Sequence, residues 1–147
     1  MATFPEFNGF DDPRPTLIAF VRGLEDFLSE IVETGRDPLG ERLFWPELYE
    51  EMRPAWNEVR EHFPRVIQRL EDISGGQIFE HGLGGRQLRF KLAVIGFFHA
   101  RYLATGKGLL KKIIDILDDL LDSILDAIGG GGAIKEFKDF VKDSIED

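Results

Sequence analysis

Leu109–Ile128 reads LLKKIIDILDDLLDSILDAI. Wound at 3.6 residues per turn, it divides into two half-cylinders. Leu109, Leu110, Ile113, Ile114, Ile116, Leu117, Leu120, Leu121, Ile124, Leu125, Ala127 and Ile128 fill one half. Lys111, Lys112, Asp115, Asp118, Asp119, Asp122, Ser123 and Asp126 fill the other. At roughly 1.5–3 kcal/mol for each large side chain, the apolar half represents about 20 kcal/mol of gross burial, so something has to cover it. The cover is the rest of the chain, a second copy, a partner or lipid. Leu110, Ile113, Leu117, Leu120, Leu121 and Ile124 are the expected interaction face. On the polar half the lysines precede the aspartates, the reverse of what the helix dipole prefers. The nearest basic groups in sequence are Arg86, Arg89, Lys91 and Arg101. The ordinary interpretation of the acidic stripe is a solvated face, on which removing Asp118 costs nothing.

Working outward, Arg86–Ala104 differs in kind. Leu88, Phe90, Leu92, Val94, Ile95, Phe97, Phe98, Tyr102 and Leu103 surround the helix and leave no clean polar side. A helix of that pattern is expected to be central and covered on several sides. Gly96 in its middle costs about 1 kcal/mol relative to Ala, which points to a close crossing with another helix. The short link Thr105–Gly108 should return the chain as an antiparallel neighbour, the 109–128 helix. Gly129–Gly132 is a flexible joint, after which Ile134, Phe137, Val141 and Ile145 mark a short last helix.

Upstream, residues 1–15 form an irregular arm whose Phe4, Phe7 and Phe10 are expected to strap onto the core. Thr16 caps a helix carrying Leu17, Phe20, Val21, Leu24, Phe27, Leu28 and Ile31, and Gly35 ends it. Asp37-Pro38 and Leu39-Gly40 read as turns, with Leu43, Phe44 and Trp45 packing inward. Leu48, Met52, Trp56, Val59, Phe63, Val66, Ile67, Leu70 and Ile73 keep helical phase across Pro54 and Pro64, as one kinked helix or as two or three short ones. Ser74–Gly85 holds five glycines in twelve residues and reads as a loop inside one domain. No two-residue alternation predicts a strand. The fold class is all-α: one bundle of five to seven helices over 16–147, with helix 86–104 central and 109–128 its antiparallel amphipathic partner.

A chain of 147 residues is the size of one domain. Its net charge of −9, without a dense basic stripe, disfavours nucleic acid as a partner. Having no cysteine, it offers neither a disulfide, a thiol nucleophile nor thiolate ligands for zinc. The start MATFPEFNGFDDP lacks the pattern of a secretory signal, and the longest charge-free apolar run, Leu92–Ala100, is far too short to span a bilayer. The expected location is the cytoplasm. Membrane attachment through 109–128 is disfavoured by its five aspartates, because surface-binding helices usually carry Lys and Arg.

Three local patterns are candidate sites. In His81-Gly82-Leu83-Gly84-Gly85-Arg86-Gln87, Gly84 and Gly85 before a helix start could free amides for an anion that Arg86 clamps. The stretch matches neither the P-loop nor the dinucleotide pattern, and a plain turn is the commoner meaning. His99 falls among Leu92, Ile95 and Leu103, where it could ligate, titrate or line a pocket; a core histidine bonded to a carbonyl or carboxylate is the usual case. Of Glu58, Glu61 and His62, Glu58 and His62 stand one turn apart but lack the spacing and repetition of a di-iron signature, so surface charge is the simpler account. No nucleophile, base and orienter assemble around Ser29, Ser74, Ser123 or Ser144. No metal or cofactor is expected. The expected function is a non-enzymatic helical interaction module, an adaptor, regulator or assembly subunit that binds itself or another helical protein. The alternatives are small-ligand or anion binding at 81–86, and membrane activity through 109–128.

Overall fold

The computed structural model describes residues 3–36, 42–105, 109–129 and 131–145, and among these residues the chain is helical throughout its regular structure. Seven helices follow in order: α1 (Arg14–Thr34), α2 (Pro46–Val59), α3 (His62–Asp72), α4 (Gly75–Glu80), α5 (Gly85–Thr105), α6 (Leu110–Ile128) and α7 (Gly132–Ser144). They form the expected all-α bundle. The expected turns at Asp37-Pro38 and Leu39-Gly40, the link at 106–108 and Gly130 lie outside the described residues.

α1 starts earlier than its apolar phase suggests. Pro13 occupies the cap position and Pro15 stands in the first turn, where a missing amide costs nothing, so Thr16 is not the cap. Gly35 closes it at φ 64°, donating its amide to the Ile31 carbonyl. Beyond it, Leu43 donates to the Gly35 carbonyl at 2.9 Å and an isolated bridge joins Arg36 to Arg42, which tucks Leu43 and Phe44 into the core. Trp45 departs from expectation: it is 54% exposed, with the Arg42 guanidinium 4.6 Å from its ring. The proline-interrupted middle is two helices, broken at Arg60-Glu61 just before Pro64. The glycine-rich stretch is not all loop. Ser74 and Gln77 make a reciprocal capping box that starts α4.

α6 occupies the heart of the bundle, packing mainly on α5 and α7 and also on α1 and α3. Its apolar half is covered by the chain's own helices. Leu110, Ile113, Leu117, Leu120, Leu121 and Ile124 are at most 1% exposed, so they form core and are not presented to a partner. The expected centre, α5, lies to one side. Among the described residues only Leu88, Leu92, Ile95 and Tyr102 are buried on it, and a Cβ added at Gly96 would meet nothing within 4 Å, so Gly96 marks no helix crossing among them.

The acidic stripe of α6 is answered by α7 and not by the basic residues of α5. Asp115, Asp118 and Asp122 pair with Lys142, Lys138 and Lys135 in reversed order, so the two helices run antiparallel with one 3–4 spacing facing another. The Asp122–Lys135 pair is at 3.4 Å. Lys142 is held above the ordinary lysine range by its hydrogen bond with Asp115, and Lys135 by the charge of Asp122. Lys138 has no exposed surface; it forms an ion pair with Asp118 and donates to Asp139 at 3.2 Å. On the other side of α7, Phe137 stacks 5.3 Å from Trp56, whose far neighbour Phe63 is at 5.8 Å. That aromatic column ties α2, α3 and α7 together. Arg69 of α3 donates to the Gly129 carbonyl at the end of α6, placing a cation at its negative pole.

Breaking a buried ion pair strands a charge in the interior, whereas exchanging both partners for apolar groups does not. Asp118→Ala is therefore expected to lower stability by about 3 kcal/mol in urea unfolding, and Asp118→Leu combined with Lys138→Met to recover most of it. Gly96→Ala, in open space on a helix, is expected to raise stability by about 1 kcal/mol in the same assay.

Candidate functional site

Separating α5 into its faces explains why its sequence shows apolar residues all round. Leu88, Leu92, Ile95 and Tyr102 point into the core, with His99 and Leu103 half-buried beside them. The opposite face carries Phe90, Ala93, Phe97, Ala100 and Ala104, all exposed. Phe90 is 70% and Phe97 59% exposed. α5 therefore carries two apolar faces, and among the described residues only one of them is covered. Its charged residues, Arg86, Arg89, Lys91 and Arg101, are all basic. Among the described residues Arg86, Arg89 and Lys91 have no ion-pair partner. Arg101 lies 5.8 Å from the Phe97 ring.

The N-terminal arm runs beside this helix. Gly9 approaches Gly85, while Phe4 sets its ring edge-on to His99 at 5.2 Å. Phe7 is buried and Phe4 half-buried, so two of the three arm phenylalanines strap onto the core, whereas Phe10 is 92% exposed. Between arm and helix lies an open groove of about 930 Å³. Leu92, Ala93 and Gly96 form its helical side, and Glu6, Asn8 and Asp11 stand on the arm side. The small side chains at 93 and 96 are what leave this room.

The 81–86 loop is built for packing. A Cβ on Gly84 would lie 2.4 Å from the Phe79 ring, so glycine here admits the aromatic ring of α4 against the backbone. Gly82 and Gly85 adopt left-handed φ values of 70° and 61°. Arg86 points outward beyond them. Turn geometry and ring contact thus account for the glycines, and among the described residues nothing polar and buried converges on the α5 start to mark an anion site.

His99 is half-buried between Phe4 and Phe27, the latter ring at 6.2 Å. Among the described residues its contacts are these aromatic edges, in place of the expected carbonyl or carboxylate. Burial pushes its imidazole below the ordinary histidine range, and the charge of Glu30 opposes this only in part. Glu58 and His62 fall on either side of the α2–α3 break and so do not share a helix face. No group of three His, Cys, Asp or Glu residues suited to a metal ion occurs among the described residues.

Sequence reasoning missed two features that had a signal. Lys135, Lys138 and Lys142 repeat the 3–4 spacing of Asp115, Asp118 and Asp122, a match visible in the sequence once the helices are set antiparallel. The outer stripe of α5 was also present, superposed on the inner one.

A histidine whose folded pKa is depressed takes up its proton more readily when unfolded, so stability rises with pH through that window. The His99 contribution is therefore present above about pH 6.5, the unfolded value, and is lost as pH falls from there towards the lower folded value. His99→Gln is expected to flatten this segment of the stability–pH curve. A His99 imidazole titrating at or above 6.5 by NMR would contradict the assignment.

No helix among the described residues is long and apolar enough to cross a membrane. Compared with protein-family models, curated proteins and solved structures, the chain matches none.

Proposed function

We propose that the chain is a helical interaction module, acting by binding and not by catalysis, and that its working surface is the outer face of α5. One observation carries this reading. Of the five large hydrophobic side chains exposed among the described residues, Phe90 and Phe97 lie on α5, while Phe79 packs on Gly84 and Phe10 follows the Gly9–Gly85 contact at its N-terminus. Scattered single hydrophobics are ordinary on a surface, but clustering around one helix is the mark of an interface. The basic groups flanking the stripe would supply a polar rim, the usual surround of such a core.

The interaction face that the sequence leads one to expect on 109–128 is thus proposed to lie on the neighbouring helix. α6 has its cover; α5 has half of its own. In this role the chain is an adaptor, regulator or assembly subunit of the cytoplasm. The anion-binding alternative is weaker, because the glycines of 81–86 are used by the Phe79 contact and by the turn. A membrane role through α6 would require expelling its apolar half from the core.

Site-specific photocrosslinking in the native host tests the assignment. A photoreactive phenylalanine analogue replacing Phe97 is expected to give discrete covalent adducts that Phe90→Ser diminishes several-fold. The same probe replacing exposed Glu58 is expected to give none. Failure to form any adduct above that control from position 97 would overturn the reading.

A further inference from the structure

Resting on that reading of α5, we infer that the face takes a single amphipathic helix of another protein, its apolar stripe edged by Asp and Glu, in a transient and salt-sensitive contact. Charge is the first reason. Of the seven helices, α5 alone contains no Asp or Glu, and it carries Arg86, Arg89, Lys91 and Arg101 in a chain of net charge −9. At about 100° per residue, Arg89 and Arg101 fall about 60° to either side of the seam of Phe90, Ala93, Phe97, Ala100 and Ala104, and Arg86 closes its N-terminal end. Arg86 and Arg89 have no ion-pair partner among the described residues. The aspartates of α6 that once looked suited to them are engaged with the lysines of α7. A cationic rim left unanswered on an acidic chain selects an anionic partner. A second copy brings the same cations to the same rim and is selected against.

Shape is the second reason. The seam advances by steps of three and four residues, which keeps it along one side of the helix over successive turns. From Arg86 to Arg101 it runs roughly 22 Å, about four turns. Phe90 and Phe97 stand above it, while Ala93 and Gly96 lower the surface into the groove of about 930 Å³ that Leu92 also lines. A bulky apolar side chain of the incoming helix enters there, as in helix-in-groove recognition. Arg89 lines the same groove, so a carboxylate one turn from that anchor meets it. Glu6 and Asp11 stand on the arm side and repel carboxylates from the far wall, which fixes the edge that the incoming helix turns towards Arg89. A flat lipid surface fills no such hollow and would bring its phosphates against those two carboxylates.

The size of the apolar patch sets the strength. At about 200 Å² for an aromatic side chain, 70% and 59% exposure of Phe90 and Phe97 leaves roughly 260 Å² of ring surface. A standard interface covers roughly 800 Å² on each partner. The contact is therefore a weak one, in which the arginines supply encounter and selectivity and the rings supply the anchor.

Fluorescence anisotropy of two labelled peptides titrated with the full chain tests this. Both are designed amphipathic helices of about 18 residues with the same leucine stripe, one edged by Glu and the other by Lys. The Glu peptide is expected to bind about tenfold more tightly than the Lys peptide, and the difference to shrink as salt rises. Attraction to a chain of net charge −9 would give the opposite order, so a preference for Glu reports the local face. Arg86→Glu with Arg89→Glu is expected to reverse the preference, and Phe90→Ser with Phe97→Ser to abolish binding of both peptides. All four positions are exposed, so unchanged far-UV circular dichroism should accompany each variant.

Equal binding of the two peptides, or tighter binding of the Lys peptide, overturns the acidic helix as occupant. If position 97 still gives protein adducts above the Glu58 control, α5 remains the interaction surface; if it gives none, both readings fall. A chain that floats with phosphatidylserine-containing vesicles, ceases to with Arg86→Glu and Arg89→Glu, and shows no preference for the Glu peptide overturns the proposal in favour of lipid.

Discussion

The structure depends on covering the apolar half of α6. Eight of its side chains are buried, and the helices around it are placed by that need. α7 folds back across the glycine joint and α5 lies alongside, while α1 and α3 close the remaining side. Covering α6 has a consequence for charge. Its polar half meets α7 at the edge of the core, so a lysine is drawn fully inside and matched to Asp118. Such a pair adds little net stability over an apolar equivalent, because desolvation offsets the attraction. What it supplies is register. Three aspartates and three lysines at one-turn spacing all pair in the antiparallel setting, and sliding α7 by one turn would leave one of the three pairs unmade.

Much of this was legible in the sequence because it rests on periodicity within single helices. The phase of α6, the burial of Ile134, Phe137 and Val141 on α7 with Ile145 just beyond it, and the Gly35 stop of α1 follow from local spacing and local backbone chemistry. The short α4 was legible too, in the Ser74–Gln77 cap, but five surrounding glycines outweighed that signal. Other features depend on which element lies opposite, and periodicity is silent about that. Trp45 is apolar enough for the core, yet the closure of its loop leaves room for Leu43 and Phe44 alone. Asp118 has the look of a solvated residue until α7 is set against it.

α5 is the instructive case. An all-round apolar helix is compatible with two situations: cover on every side, or two apolar faces of which one awaits something outside the chain. The residue pattern is the same in both. Inner positions 88, 92, 95, 99 and 102 and outer positions 90, 93, 97, 100 and 104 each keep helical spacing, and superposed they erase the polar side. Only the contacts separate them. The candidate site therefore moved by one helix, from the covered face of α6 to the uncovered face of its neighbour, while the physical reason for expecting a site, an apolar helix face that needs cover, stayed the same.

The central claim is that α6 is closed within one chain and that α5 is left half-open. Amide hydrogen exchange, followed at two widely separated protein concentrations, addresses both halves together. The account predicts that α6 amides are the most protected in the molecule and equally so at both concentrations, and that α5 amides exchange faster than those of α6. Protection of α6 that grows with concentration, or α6 amides that exchange faster than those of α5, would show that the chain does not close its own core and would contradict the account.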